Sequence, residues 1–218
     1  MTIAGGPRTG GTGGAAWADR YAAEDALLVA ARTRATALGG PPPVEPAVGA
    51  TLAVLAAGAG ARAVVSIGSG GGVHGLWLLR GMRPDGVLTV LDTDAAQLRA
   101  ARQALADAGV APGRTRLIFG TPAEVLPRLS PGAYDLVACA GRPGEYAAHL
   151  ASLVGLVRAG GTLTCHGLLA GDRIGDRAAR DPETVTWRDL ARAVREDEDL
   201  TSAVLPIGTG LLVATRRS

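Results

Sequence analysis

Two residue types are missing from this 218-residue chain: it contains no lysine and no asparagine, so all 22 of its basic residues are arginines. The absence of lysine excludes enzyme classes whose chemistry requires that side chain. P-loop nucleotidases, pyridoxal-phosphate enzymes with a Schiff base, and short-chain dehydrogenases with a Tyr-Lys pair are therefore ruled out. The wealth of Ala, Gly, Arg and Pro indicates a bacterial gene of high GC content.

Cysteine and long apolar runs are also scarce. Cys139 and Cys165 both lie in apolar, strand-like stretches, which predicts buried free thiols in a reducing compartment rather than a disulfide or a two-cysteine metal site. No run of about 18 uncharged apolar residues occurs, and the first residues lack the charged and apolar regions of a signal peptide. We therefore expect a cytoplasmic protein that does not engage a membrane.

The charge pattern argues against nucleic acid as a partner. The 22 arginines are scattered among 20 acidic residues, and the aromatic side chains amount to three Trp, three Tyr and one Phe. No arginine cluster is paired with aromatic side chains that would stack on bases. A small molecule is the more plausible ligand.

Length and composition predict one globular domain. With 218 residues and 47% hydrophobic content, the chain is long enough to bury a full core. The glycine-rich head, residues 1–16, predicts a disordered tail. Residues 17–218 then form the domain, with N-terminal helices over 17–60 and an alternating α/β core over 61–218.

The hydrophobic pattern changes period near residue 62. Before that point, residues 17–38 predict one helix that ends at Gly39, and residues 47–60 predict a second. From residue 62 onward, short β-rich runs alternate with helical ones, which indicates βαβ units and a parallel sheet. Thr121 and Glu124 predict a capping box at one helix start. Another helix is expected over 144–161, with Tyr146, Leu150, Leu153 and Val157 facing inward.

The last two β-rich runs break the alternation. "TSAVLPI" and "LLVATRR" are separated only by "GTG". So short a link permits an antiparallel hairpin and forbids a parallel crossover. The dinucleotide-binding fold instead joins its last strands by helices.

The stretch "SIGSGGGVHG", residues 66–75, follows the first strand directly and holds five glycines. In one register it gives G-x-G-x-x-G, the dinucleotide fingerprint; in another it gives G-x-G-x-G, the looser loop of S-adenosylmethionine enzymes. Asp92, at the end of the second strand, is placed to accept hydrogen bonds from a ribose diol in both cases. The alternative without a ligand is that these glycines only permit a tight strand-to-helix turn.

With the terminal hairpin and the two helices before the first strand, the chain resembles class I S-adenosylmethionine-dependent methyltransferases, and among them the catechol and caffeoyl-CoA O-methyltransferase-like family. The resemblance runs from about residue 20 to the end, with "SIGSGGGVHGLWLLRGM", "VLTVLD" and "LVRAGGTLTCHGLL" among its strongest points. It implies a Rossmann-like fold with a seven-stranded, mostly parallel sheet, an antiparallel C-terminal hairpin and helices on both faces. It also implies a homodimer.

The resemblance assigns the cofactor S-adenosylmethionine to a set of positions in this chain. Two positions depart from the family: Ser66 stands where a Glu usually begins the glycine motif, and His74 replaces a Ser or Thr that touches the methionine carboxylate. His74 either donates to that carboxylate or is simply an exposed residue of the helix start. The expected cofactor-binding residues are Val44, Ser66, Gly68, Ser69, Gly70, Gly72, His74, Asp92, Thr93 and Ala140.

The metal site of that family is missing at the corresponding positions. Residues 140–143 read "AGRP" and residues 166–167 read "HG", where relatives carry carboxylates, a lysine and an Asp-Asn pair. Mg²⁺ requires oxygen ligands, so no metal site is expected. Methyl transfer without metal needs only a base and an aligned sulfonium. We assign His166 as the candidate base and Arg142 as the group that orients an acidic substrate, against the alternative that both are merely structural.

The substrate side and two rival functions stay open. The loop over 171–183 lies where the family places a substrate-side lid, and Trp187, Trp17 and Tyr21 are the aromatic residues expected near it. One rival is a degenerate relative that acts by binding, and a cofactor cleft filled by His74 or Arg142 would favour it. The other is a nicotinamide-dependent oxidoreductase, which rests on the alternative glycine register.

Overall fold

The computed structural model describes residues 11 to 218, with side chains from residue 13 onward. The helices within that range are α1 (Gly11–Tyr21), α2 (Ala26–Ala37), α3 (Pro46–Gly58), α4 (Val73–Gly81), α5 (Ala95–Asp107), α6 (Pro122–Val125), α7 (Pro143–Tyr146), α8 (Leu150–Leu156) and α9 (Pro182–Glu196). The strands are β1 (Ala63–Ile67), β2 (Val87–Asp92), β3 (Thr115–Phe119), β4 (Tyr134–Cys139), β5 (Val157–His166), β6 (Leu200–Leu205) and β7 (Leu211–Arg216).

The strands form one seven-stranded sheet in the order β3-β2-β1-β4-β5-β7-β6. The pairs among β1 to β5 are parallel, whereas β7 pairs antiparallel with both β5 and β6. The predicted mostly parallel sheet with an antiparallel terminal hairpin is therefore confirmed. The strand order reverses at β1 and β4, which is where open α/β sheets bind their ligands.

Alternate residues of the central strands pack into two hydrophobic cores, one on each face of the sheet. On β1, Val64 packs with the cluster under α2 to α5, and its neighbour Val65 packs with the cluster under α7 to α9. This alternation follows from the two-residue period of a strand. The first cluster includes Leu28, Val48 and Leu52, so the N-terminal helices share the core of the domain.

The N-terminal segment differs from the prediction in two places. Residues 11 to 16 of the expected disordered tail lie in α1, and residues 1 to 10 lie outside the described residues. Trp17 stacks on Tyr21 one turn later, at a ring separation of 5.4 Å, which gives α1 a local contact that composition alone did not reveal. The single helix expected over 17–38 is broken at residues 22–25, because Asp25 caps α2 by accepting the Leu28 amide at 3.1 Å.

The helix expected over 144–161 is also wrong in its second half. A short 3-10 turn follows α7, α8 ends at Leu156, and Val157 already belongs to β5. Tyr146, Leu153 and Val157 are buried as expected, while Leu150 is half-buried. The apolar spacing was therefore right, but the β-branched Val157 begins a ten-residue strand that pairs with Tyr134.

Two smaller predictions are confirmed. Cys139 and Cys165 are buried free thiols, directly opposite each other on β4 and β5. Thr121 and Glu124 form the capping box that starts α6. Among residues 11 to 218, no helix combines the length and hydropathy needed to cross a membrane.

Candidate active site

A two-lobed cleft lies at the carboxyl ends of β1, β2, β4 and β5. One lobe, of about 250 Å³, adjoins the glycine loop and is called here the cofactor lobe. The other, of about 460 Å³, adjoins the end of β5 and is called the acceptor lobe. Both lobes are lined by Pro41, Pro42, Ala140, Gly141 and Arg142, so they form one continuous site.

Seven of the ten residues expected to bind cofactor line the cofactor lobe: Val44, Gly68, Gly70, His74, Asp92, Thr93 and Ala140. Ser66, Ser69 and Gly72 do not line it. Ser66 and Ser69 are almost fully buried and support residues that do line the lobe.

The glycines of the loop are required for different structural reasons. Gly68, Gly70, Gly71 and Gly72 all have positive φ, between 49° and 100°, a region that other residues avoid. A Cβ on Gly72 would lie 2.7 Å from the Cβ of Ala104 in α5, so Gly72 permits helix packing. A Cβ on Gly70 would meet only Pro43, at 3.5 Å, across the cofactor lobe. Gly70 therefore leaves space for a ligand, whereas Gly72 leaves space for the protein.

Ser69 positions the acid at the end of β2. Its amide nitrogen and its hydroxyl both donate to Asp92 Oδ2, at 2.8 and 2.5 Å, and the Asp94 amide donates to Oδ1 at 2.8 Å. These bonds fix the carboxylate beside the cofactor lobe. Oδ1 keeps acceptor capacity for a ligand hydroxyl, because each carboxylate oxygen accepts about two hydrogen bonds.

His74 is buried, not exposed as its structural alternative supposed. Its Nδ1 lies 2.7 Å from Ser66 Oγ and 3.2 Å from the Gly68 carbonyl oxygen. Burial lowers the pKa of His74 to about 4, the nearby His166 adds to this effect and the Gly68 carbonyl opposes it. The imidazole is therefore neutral at pH 7, and the contacts of Nδ1 with the Ser66 hydroxyl and the Gly68 carbonyl hold it in place.

The second ring nitrogen of His74, Nε2, shows whether a polar ligand fits the cofactor lobe. Within the described part of the chain, Nε2 is enclosed and has no hydrogen-bond partner. A buried polar atom without a partner costs free energy, unless a ligand supplies the missing bond. The methionine part of S-adenosylmethionine carries both an ammonium and a carboxylate, so it offers a partner to either tautomer of His74.

His166 forms a short hydrogen-bonded group in the acceptor lobe. Its Nε2 lies 2.7 Å from Glu45 Oε2 and 2.9 Å from the hydroxyl of Thr209. The Thr209 amide in turn donates to Glu45 Oε1 at 2.9 Å. The three residues come from the end of β5, the start of α3 and the turn between β6 and β7. The imidazole is 8% exposed and is held rigidly.

Arg142 lines both lobes, and Glu145 lines the cofactor lobe. Arg142 is exposed and, within the part of the chain that the structure describes, forms no ion pair within 4.0 Å. Burial and the Asp92 carboxylate raise the pKa of Glu145, while Arg142 opposes the rise. The predicted role of Arg142, to orient an acidic substrate, stays a prediction.

Among residues 11 to 218, no group of three or more His, Cys, Asp or Glu side chains is arranged to hold a metal ion. The two stretches expected to lack ligands, 140–143 and 166–167, line the acceptor lobe. Within these two stretches, His166 is the one side chain that could ligate a metal ion, and it is already bonded to Glu45.

The loop over 171–183 borders the acceptor lobe, as expected for a substrate-side element. Gly171, Arg173 and Glu183 line the lobe. Arg188 of α9 donates to the carbonyls of Arg173, Ile174, Asp176 and Ala179, which holds the loop in one conformation.

Only one of the three candidate aromatic residues belongs to the site. Trp187 is buried and lines the acceptor lobe, with Tyr146 behind it at a ring separation of 6.1 Å. Trp17 and Tyr21 stack on each other, are 60% and 80% exposed, and line neither lobe. The expectation that Trp17 and Tyr21 lie beside the substrate is therefore wrong.

Sequence reasoning missed Glu45 and Thr209. It also missed Pro41 and Pro42, which line both lobes and are called here the proline wall. Glu45 occupies the N-cap position of α3, yet it makes no side-chain capping bond. Glutamate is not a favoured N-cap, so a Glu directly before Pro46 is a weak signal of another role. Nothing in the spacing connects it with His166, 121 residues away.

Comparison with known proteins extends the structural picture. A family model described as O-methyltransferase matches residues 22–217. A Mycobacterium tuberculosis protein named "Probable O-methyltransferase Rv1220c" is 48% identical over 201 residues, which cover 92% of this chain and 89% of that protein.

Two solved structures are similar over most of their length. A crystal structure of a Corynebacterium glutamicum protein matches with a TM-score of 0.84 and 31% identity, covering 93% of this chain and 94% of that one. The O-methyltransferase TomG from Streptomyces achromogenes, in complex with S-adenosylmethionine and involved in tomaymycin synthesis, matches with a TM-score of 0.81 and 25% identity, covering 90% and 92%.

The sheet order and the cleft at its carboxyl edge define a class I methyltransferase fold. The chain belongs to the O-methyltransferase family, a family of S-adenosylmethionine-dependent enzymes. The resemblance drawn from the glycine loop and the terminal hairpin is thereby confirmed, and the nicotinamide alternative is wrong.

Proposed function

We propose that this protein transfers a methyl group from S-adenosylmethionine to a hydroxyl of a small molecule, without a metal ion, and that His166 is the base. The observation that carries the proposal is the bonded His166 at the end of β5, in a lobe continuous with the cofactor lobe. The complex of TomG with S-adenosylmethionine supports the choice of donor.

In the cofactor lobe, Asp92 accepts hydrogen bonds from the ribose hydroxyls, and His74 Nε2 contacts the methionine part. Gly70 and Val44 shape the space between them. When bound, S-adenosylmethionine supplies an electrophilic methyl group on a sulfonium. The described residues need only hold that methyl in line with the acceptor oxygen.

In the acceptor lobe, His166 removes the proton from the acceptor hydroxyl, and Arg142 orients an anionic substituent of the acceptor. Trp187 and Pro42 provide apolar walls that exclude water from the reacting oxygen. The lack of carboxylates at 140–143 and 166–167 supports the metal-independent form of the reaction, because Mg²⁺ prefers oxygen ligands.

The rival proposal of a degenerate binding protein predicted a cleft filled by side chains. His74 and Arg142 instead line the lobes, which retain about 250 and 460 Å³. An open, continuous cleft supports catalysis over that rival.

We further propose a cytoplasmic homodimer. The cytoplasmic location is supported by the opposed thiols of Cys139 and Cys165, which a reducing compartment preserves. The dimer is supported by the exposed apolar side chains of Trp17, Tyr21 and Val54 on α1 and α3. Light scattering tests the dimer: a mass about twice the 21.9 kDa of the chain is expected, and the mass of a single chain would contradict it.

Calorimetry with S-adenosylmethionine and S-adenosylhomocysteine tests the cofactor part of the proposal, since no binding at millimolar ligand would refute it. Activity is then measured on a panel of hydroxylated small molecules. His166→Gln is expected to lower kcat by about 10²- to 10⁴-fold, the usual contribution of a general base, with unchanged cofactor affinity. His149→Gln, in the 3-10 turn before α8, is the matched control. Addition of EDTA should leave the rate unchanged, and a rate abolished by EDTA would refute metal independence.

A further inference from the structure

We infer that Glu45 is a positioning residue that fixes the tautomer of His166, leaving Nδ1 to accept a proton from a monophenol. This inference rests on the proposed function and deepens it in two respects. It names the residue that makes His166 a base, and it names the class of hydroxyl that such a base serves.

The ionisation state of Glu45 determines which ring nitrogen carries the proton. Burial alone would raise the pKa of Glu45, but the hydrogen bond and electrostatic attraction of His166 hold it below its ordinary value, with help from Thr209. The carboxyl is therefore ionised at pH 7 and acts only as an acceptor. Because Oε2 of the ionised carboxyl lies 2.7 Å from Nε2, this nitrogen carries a ring proton and donates it to Glu45.

The other ring nitrogen is then the base. Nδ1 carries the lone pair. Among residues 13 to 218 it has no hydrogen-bond partner, and it is not one of the enclosed polar atoms that lack one. His166 itself lines the acceptor lobe. The arrangement follows the logic of a Ser-His-Asp triad, in which a carboxylate orients the imidazole and stabilises it once protonated.

The chemistry of this base selects the acceptor. A carboxylate acceptor needs no base, and an aliphatic alcohol is far too weak an acid for an imidazole to ionise. A phenol, with a pKa of about 10, is close enough for general base catalysis. The flat apolar walls of Trp187, Pro41 and Pro42 suit a single aromatic ring.

A second, vicinal hydroxyl is not required in this arrangement. Divalent metal enzymes use two adjacent oxygens to chelate the ion, but the acceptor lobe offers a base and a cation, Arg142, instead. In the reaction, the phenol proton moves to Nδ1, and an oxygen lone pair forms the new bond to the methyl carbon. The carbon–sulfur bond breaks, and its electron pair stays on sulfur.

Nitrogen-15 spectra of the imidazoles test the tautomer directly, because the chain has only three histidines. In the wild-type protein, at a pH where the ring of His166 carries a single proton, the spectra should show a protonated Nε2 and an unprotonated Nδ1. The opposite tautomer would overturn the inference, and this test needs only the wild-type protein. In Glu45→Gln the amide can donate to Nε2, so a large share of His166 should change tautomer. Glu196→Gln, at the exposed end of α9, is the control and should leave the spectrum unchanged.

Kinetics test the positioning role. Glu45→Gln should lower kcat by about 10- to 100-fold, as loss of an orienting partner does, while KM and cofactor affinity change less than twofold. Glu196→Gln, at the exposed end of α9, should keep both the tautomer and the kcat of the wild type. Equal losses in kcat and in cofactor affinity for Glu45→Gln would show a merely structural role and contradict the inference.

The acceptor class is tested with 4-hydroxybenzoate and 3,4-dihydroxybenzoate as a matched pair. Methylation of the monophenol within about tenfold of the catechol is expected, a difference of about 1.4 kcal/mol in the barrier. Turnover of the catechol alone, or of neither compound, would overturn the phenol class. Binding of S-adenosylhomocysteine in the same samples separates this failure from failure of the proposed function.

Discussion

At the scale of single residues, two histidines of the site have opposite roles because their surroundings differ. His74 is enclosed and bonded through Nδ1 to Ser66, with no carboxylate beside it. His166 faces the acceptor lobe and is bonded to a carboxylate. The same side chain is thus a neutral, buried contact in one lobe and, in the proposed reaction, the base in the other, because its neighbours differ.

The buried His74 should make the stability of the protein depend on pH. Its folded-state pKa of about 4 lies below the unfolded value of 6.5, so the unfolded chain binds the extra proton first as the pH falls. Stability is therefore full above pH 6.5 and is lost between pH 6.5 and 4, by about 3 kcal/mol in total.

The measurement is urea denaturation at several pH values for the wild type and for His74→Gln. The variant should lack this part of the acid loss, so the difference between the two proteins should shrink towards pH 4. A constant difference across that range would show that His74 titrates normally in the folded state.

At the scale of elements, the glycine loop combines two requirements that look identical in the sequence. Gly70 and Gly72 both have positive φ, but Gly70 faces the cofactor lobe and Gly72 faces α5. The sequence predicted one role, ligand binding, for both. Substitution by alanine separates the roles.

Gly72→Ala should destabilise the protein by at least about 2 kcal/mol, because a left-handed conformation is unfavourable for alanine and the methyl group collides with α5. Gly70→Ala should cost about 1 kcal/mol of stability by conformation alone. It should, however, weaken S-adenosylhomocysteine binding by about tenfold or more, equivalent to about 1.4 kcal/mol.

Denaturation and calorimetry on both variants check this pair of expectations. If Gly70→Ala binds S-adenosylhomocysteine as tightly as the wild type, the glycine is there for the turn only, and the ligand does not approach it.

The elements themselves could largely be predicted from the sequence, because period and capping are local. The sheet alternation, the capping box at Thr121 and the terminal hairpin all follow from residues within one or two turns of each other. The break between α1 and α2 was missed, since Ala-rich sequence continues helical spacing through the cap at Asp25.

The site could be predicted only in part, for the same physical reason. Asp92 and His166 lie at strand ends, which a strand pattern locates. Glu45 and Thr209 reach His166 from 121 and 43 residues away, and only the packing of α3 against the end of β5 and the terminal hairpin brings them together. Side-chain contacts over such separations leave no periodic signal.

At the scale of the whole molecule, the N-terminal helices are part of the catalytic domain. Arg32 of α2 donates to the carbonyls of Pro43 and Val44, at 3.2 and 2.6 Å, and pairs with Glu24. It thereby anchors the segment that follows the proline wall shared by both lobes. We expect one cooperative unfolding transition for the domain, because α2 and α3 share a core with β1.

Arg32→Gln should lower the free energy of unfolding by about 1–3 kcal/mol, since it leaves buried carbonyls and Glu24 without their partner. It should also weaken binding in both lobes, because the wall between them loses its anchor. Arg34→Gln is the matched control on the same helix: its ion pair with Asp107 is one-third exposed and should contribute less than about 1 kcal/mol.

Urea denaturation measures the stability of the two variants, and calorimetry measures their ligand affinity. Equal effects of Arg32→Gln and Arg34→Gln on ligand affinity would show that the proline segment holds its position without Arg32.

The turn at Thr209, between the last two strands, closes the group around Glu45. During synthesis, a ribosome will have made Asp92, the glycine loop and His166 long before it reaches that turn. Until the final hairpin has been made, the imidazole lacks one of its two partners and β5 lacks its antiparallel neighbour. Because β7 also carries buried residues of both cores, we expect the cleft to assemble only after β7 has left the ribosome, and a premature stop in this hairpin to abolish cofactor binding together with turnover.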